Sequence, residues 1–183
     1  MWTGPMAELT AFAILAFAAA FPVSLVWHAR RGRMGWALRI ATADALLVAS
    51  VLVILRATLP SGQPASGLDP WTWMPFEDLI RAWPFDRSRA VILGQLAQNV
   101  VLFVPLGIAL GLLPRGNRTY PLVAVAFAFP LIIETTQLLL PALERGCQSA
   151  DVVDNLAGLL LGLVAGIGCG LSLRHAKRRT LTR

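Results

Sequence analysis

Five long apolar runs dominate the chain, near residues 7 to 27, 37 to 59, 91 to 113, 119 to 140 and 152 to 173. Each is about as long as the ~20 apolar residues a helix needs to cross a bilayer. Prolines mark their edges: Pro60 follows the second, Pro114 ends the third and Pro141 stops the fourth. The pattern predicts an all-α polytopic membrane bundle of about five transmembrane helices. The one long connection, residues 60 to 90, opens with the flexible stretch "SGQPASG" and then turns amphipathic. In "PFEDLIRAWP", Phe76, Leu79, Ile80 and Trp83 share one helical face, Glu77, Asp78 and Arg81 take the other, and Pro75 and Pro84 bracket the piece. With Trp71 and Trp73 beside it, the segment predicts a short interfacial helix before the third span, because tryptophan collects at headgroup level. A soluble loop packed on the bundle is the alternative. The resulting organisation is an N-terminal pair of helices over 1–59, a linker over 60–70, a three-helix core over 71–173 and a basic tail over 174–183.

Composition agrees with this. Of 183 residues, 56% are hydrophobic and 14% charged, and the mean hydropathy is +0.65, far from a soluble domain. The pI of about 10.9 raises the question of nucleic acid, but the basic residues form no single patch. Arg30, Arg31, Arg33 and Arg39 flank the first connection, Arg115 and Arg118 the third, and Arg174, Lys177, Arg178, Arg179 and Arg183 the tail: eleven of the sixteen basic residues, in regions without Asp or Glu. Lysine and arginine in short loops stay on the cytoplasmic side, so the predicted orientation is N-out and C-in, with no nucleic-acid partner. The N-terminus lacks the basic region of a secretory signal, so the first run is expected to stay in the protein. Cys147 and Cys169 are about 30 Å apart at helical rise, which excludes a shared metal or disulfide. Cys169 is expected to serve packing.

Against this background the stretch "LIIETTQLLLPALERGCQSADVVDNLAG", Leu131 to Gly158, stands out. Glu134 and Gln137 lie inside the end of one span, and Asp151, Asp154 and Asn155 open the next. With Asn99 in the third span, all of them fall in the predicted outer leaflet. Glu134 with Gln137 and Asp151 with Asn155 have helical i, i+3 and i, i+4 spacing, so each pair shares a face. Arg145, in the turn between them, is the nearest cation for either carboxylate. An ionisable group inside a membrane is a functional candidate by default; structural pairing of Glu134 with Arg145 is the competing reading. Asn99 is equally well read as interhelical glue or as a ligand contact. Asp44, toward the cytoplasmic side, is expected to pair with Arg39. Gly158, Gly162, Gly166 and Gly170 repeat every four residues, as do Gly107 and Gly111, and this predicts close helix packing through small residues.

The ordered set "MPFEDLI", "NVVLFVPLG", "IIETTQ", Arg145 and "DVVDNLAGLLLG" resembles the VanZ-like family of bacterial membrane proteins over about residues 71 to 171. The family pattern falls on Pro75, Phe76, Asn99, Pro105, Gly107, Glu134, Gln137, Arg145, Asp151, Asn155, Gly158 and Gly162. Asp154 and Cys147 have no counterpart in it, and Leu156 and Ala157 depart mildly from it. The resemblance implies the bacterial cytoplasmic membrane and an envelope role connected with glycopeptide (teicoplanin) susceptibility. It implies no reaction.

Three functions fit. In the first, Asn99, Glu134, Gln137, Arg145, Asp151 and Asn155 line an outer-leaflet pocket that binds an envelope lipid, a lipid-linked cell-wall precursor or a lipoglycopeptide. Arg145 would hold a phosphate and the amides sugar or peptide groups. In the second, an intramembrane enzyme acts on a lipid diphosphate through Asp151, Asp154 and Glu134; the absence of histidine or an activated nucleophile from the cluster weighs against it. In the third, Glu134 serves a small proton-coupled transporter, though no inverted repeat is visible. No cofactor or resident metal is expected. Membrane lipids are the expected partners, and a second copy of the chain remains open.

Overall fold

The computed structural model describes residues 3–31, 34–59, 71, 72, 74, 80, 89–117, 119–140 and 147–181. Helices α1 (Thr3–Ala29), α2 (Met34–Thr58), α3 (Arg89–Leu112), α4 (Thr119–Leu139) and α5 (Ser149–Leu181) follow the five apolar runs. Each contains a stretch long and apolar enough to cross a membrane, and the chain is a multi-pass helical membrane protein. The last helix does not stop at the end of its apolar run. It continues through the basic tail to Leu181, as a helix can once it leaves lipid for water and headgroups.

The interfacial helix expected between Pro75 and Pro84 falls on residues outside the described set, apart from Ile80, which is helical. Two-residue strands β1 (Trp71–Thr72) and β2 (Cys147–Gln148) pair in parallel, Trp71 opposite Cys147 and Thr72 opposite Gln148. This short ladder places Trp71 and Thr72 beside Cys147 and Gln148, immediately before α5.

The centre of the bundle is the α3–α5 pair. Both helices run from the end of the molecule that carries the acidic cluster to the end that carries Arg39 and Arg115. Three glycines of α5 meet carbonyls of α3 in constant register: Gly158 on Val100, Gly162 on Val104 and Gly166 on Ile108. From the other side, Gly107 faces Leu159 and Gly162, and Gly111 faces Leu163 and Gly166. A β-carbon at any of these positions would lie inside the neighbouring backbone, so the glycine stripe permits backbone contact, which is how helices associate where lipid removes the hydrophobic drive. Gly170, one turn further, faces the guanidinium of Arg39 instead.

Around this pair, Ile54 of α2, Phe103, Leu106 and Leu110 of α3, Ala126 and Ile133 of α4, and Leu159 of α5 form one buried apolar cluster. Phe103 and Phe129 meet with ring centroids 6.3 Å apart. Helix α1 packs mainly on α2, and its apolar stretch has no buried residue.

Two expectations need correction. Asp44 does not pair with Arg39: Ser24 Oγ donates to Asp44 Oδ2 at 2.6 Å, and His28 Nε2 lies 3.0 Å from the same oxygen. Ser24 and His28 are one turn apart on α1, so α1 rather than α2 supplies the partner. Arg39 instead donates through Nε to Leu112 O at 2.8 Å, closing the carbonyl end of α3 where no intrahelical donor remains. Cys169 is exposed; Gly158, Gly162 and Gly166, not the thiol, make the contact with α3.

Candidate functional site

Polar residues of the third, fourth and fifth spans lie toward one end of the bundle, and Asn99, Glu134 and Gln137 each meet a partner on another element. Asn99 Nδ2 donates to Asp151 Oδ1 at 2.6 Å, joining α3 to the first turn of α5. Glu134 Oε2 accepts the backbone N–H of Gln148 at 3.0 Å, so α4 holds the segment that leads into α5. Gln137 Nε2 donates to Thr58 O at 2.9 Å, which satisfies a carbonyl at the last residue of α2. Glu134 and Gln137 are 3% and 5% exposed, and their i, i+3 spacing lets one face of α4 reach two neighbours at once.

Local chemistry explains why this works in an apolar helix. Thr135 and Thr136 stand between Glu134 and Gln137 yet point elsewhere. Their hydroxyls donate to Leu131 O and Ile132 O of their own helix, at 2.7 Å in each case, so both are satisfied without a place in the cluster. "ETTQ" therefore presents two polar groups inward and two self-satisfied groups outward. Asp151 lies in the first turn of α5, where a carboxylate also suits the positive end of the helix dipole.

These bonds carry a structural meaning: Glu134, Gln137 and the Asn99–Asp151 pair fasten helix ends. Two groups are left over. Asn155 is 3% exposed, and among the described residues its Oδ1 is buried with no hydrogen-bond partner; the buried Ser149 Oγ is in the same position. An unmet acceptor of this kind costs about 1–3 kcal/mol, so its persistence needs a reason. Asp154, also buried, lies between them in sequence.

Of the six expected site residues, Asn99, Glu134, Asp151 and Asn155 lie on or bond to the start of α5, whereas Gln137 bonds to the end of α2. Arg145 lies outside the described residues, as do Pro75 and Phe76. Among the described residues no three His, Cys, Asp or Glu side chains come together in the manner of a metal site.

A second polar cluster escaped the sequence reading, the Ser24–His28–Asp44 group near the opposite end, where His28 also meets the Trp36 ring edge-on at 5.4 Å. Its signal was present in the i, i+4 spacing of Ser24 and His28, but both fall near a span boundary where polar residues are ordinary.

The VanZ/LLP1 family model matches residues 45–169, from within α2 to near the end of the glycine stripe. No curated protein and no solved structure matches the chain.

Proposed function

The chain belongs to the VanZ/LLP1 family, and we propose that the polar cluster at the start of α5 binds the head group of an envelope lipid, a lipid-linked cell-wall precursor or a lipoglycopeptide, and so lowers glycopeptide susceptibility. In this reading the protein lies in the bacterial cytoplasmic membrane, N-out and C-in, with the cluster in the outer leaflet, where such molecules reside. Of its six residues, Arg145 and Asn155 contact the ligand, and Asn99, Glu134, Gln137 and Asp151 shape the site by fastening the helix ends around it.

The observation that carries the reading is the pair of unmet buried groups, Asn155 Oδ1 and Ser149 Oγ. Glu134 and Gln137 are accounted for by the helix ends they secure, whereas an acceptor at Asn155 with nothing to accept is suited to a ligand hydroxyl or amide N–H. Arg145, three residues before Gln148, supplies the charge for a phosphate.

The test is genetic. Wild type, Glu134→Gln, Arg145→Ala, Asp151→Asn and Asn155→Leu are expressed in a glycopeptide-sensitive bacterium, and membrane level and teicoplanin susceptibility are measured together. The expected outcome is protection by wild type and its loss in Arg145→Ala and Asn155→Leu at unchanged membrane level. Equal protection by all variants that reach wild-type levels would remove the cluster as the site.

A further inference from the structure

At the opposite end of the bundle, between α3, α4 and α5, lies a cleft of about 190 Å³. Leu110, Val123, Leu163, Ile167 and Leu171 make its walls apolar, while Arg39 and Arg115 line it from two different elements. We propose that this cleft is a specific site for one anionic glycerophospholipid, which seats the upper part of an acyl chain between the helices and its phosphate against the two arginines.

Size, charge and fixation together support this occupant. The volume is roughly six times the share of one water molecule in the liquid, enough for a few methylenes and too small for a whole lipid, so the remaining chain must continue into the bilayer beside α4. The walls offer little to a polar solute. The cation at Arg39 is held in place, because Nε donates to Leu112 O at 2.8 Å and the guanidinium rests against Gly170. Arg115 is exposed, and among the described residues it makes no hydrogen bond or ion pair. The flanking segments of sequence around Arg30 to Arg39, Arg115 to Arg118 and Arg174 to Arg183 contain no Asp or Glu. Among the described residues, Arg39 and Arg115 are the charged ones that line the cleft and no Asp or Glu lines it, and basic pockets between membrane helices are suited to lipid phosphates. Tyr120, 64% exposed and also lining the cleft, has the amphipathic ring that favours the headgroup level. The site is independent of the polar cluster around Asn155, which lies at the other end of α5.

The experiment uses the full chain purified in mild detergent with an equimolar mixture of phosphatidylglycerol and phosphatidylcholine, and reads retained lipid by native mass spectrometry. Wild type is expected to keep one phosphatidylglycerol in preference to phosphatidylcholine. Arg115→Gln should weaken that preference about fivefold, the effect of about 1 kcal/mol per arginine near a lipid surface. Leu171→Trp, which fills the cleft from a partly exposed position and leaves both arginines, should abolish it. Excess inorganic phosphate should displace nothing. Equal retention of the two lipids by wild type, displacement by inorganic phosphate, or an undiminished preference in Leu171→Trp would each overturn the proposal; the last would reduce it to attraction by surface charge.

Discussion

The side chains that look out of place in lipid are mostly employed at helix ends. Gln137 closes the carbonyl end of α2, Arg39 that of α3, and Glu134 the segment entering α5. Each bond satisfies a backbone group that the helix itself leaves unpaired, and in a bilayer water is not there to do so. The Asn99–Asp151 bond differs in joining two side chains. Asn99→Ala should lower thermal stability in detergent by about 1 kcal/mol, the usual scale for such bonds between membrane helices. Combined with Asp151→Ala, the loss should be clearly less than the sum of the two single losses; strict additivity would mean that the two residues do not act as a pair. That Asn99, Glu134 and Gln137 mattered was legible from polarity at membrane depth. Their partners were not, because Thr58 O and Gln148 N are backbone atoms and the sequence carries no mark on them. Asp44 shows the same limit in reverse: Arg39 was closer in sequence, but Ser24 and His28 were closer in space.

Packing of whole helices was more legible. The four-residue glycine period on α5, matched by Gly107 and Gly111, identified both contact faces before any geometry, because small residues at that interval have few other uses in a membrane helix. The constant pairing of Gly158, Gly162 and Gly166 with Val100, Val104 and Ile108 makes the dependence sharp. Gly162→Ala should displace α3 from α5, costing about 1–3 kcal/mol by the scale of overpacked sites and lowering the folded amount in the membrane. Gly168→Ala, which has nothing within 4 Å of a new β-carbon, should stay within about 0.5 kcal/mol of wild type, as surface positions do. Equal behaviour of the two variants in a thermal unfolding assay would contradict the α3–α5 contact. The stripe could not reveal that Gly170 meets the Arg39 side chain first, since that requires α2 to be known as a neighbour. The extension of α5 to Leu181 was hidden for a simpler reason: apolar runs record where lipid ends, and helices obey no such limit.

At the scale of the whole molecule, charge separates the two ends. Arginines gather where α1, α3 and α5 finish, and the Glu134, Asp151 and Asp154 carboxylates where α4 finishes and α5 starts. In the proposed orientation the arginine end faces the cytoplasm, as the positive-inside rule expects. A reporter fused after Arg183 should be active only in its cytoplasmic form, and periplasmic activity would reverse both leaflets. With that direction, the lipid cleft beside Arg39 and the cluster beside Asn155 face opposite leaflets of one short bundle. The functional claim depends most on Asn155, and a single pair of readings on purified protein tests it. Wild type and Asn155→Leu are compared for retention of a lipid-linked peptidoglycan precursor in nanodiscs and, on the same samples, for thermal stability. If the unmet acceptor is kept for a ligand, Asn155→Leu should be as stable as wild type or up to about 1–3 kcal/mol more so, since a buried unsatisfied group is removed, while precursor retention falls at least tenfold. Retention equal to wild type, or a loss of stability without a loss of binding, would contradict it.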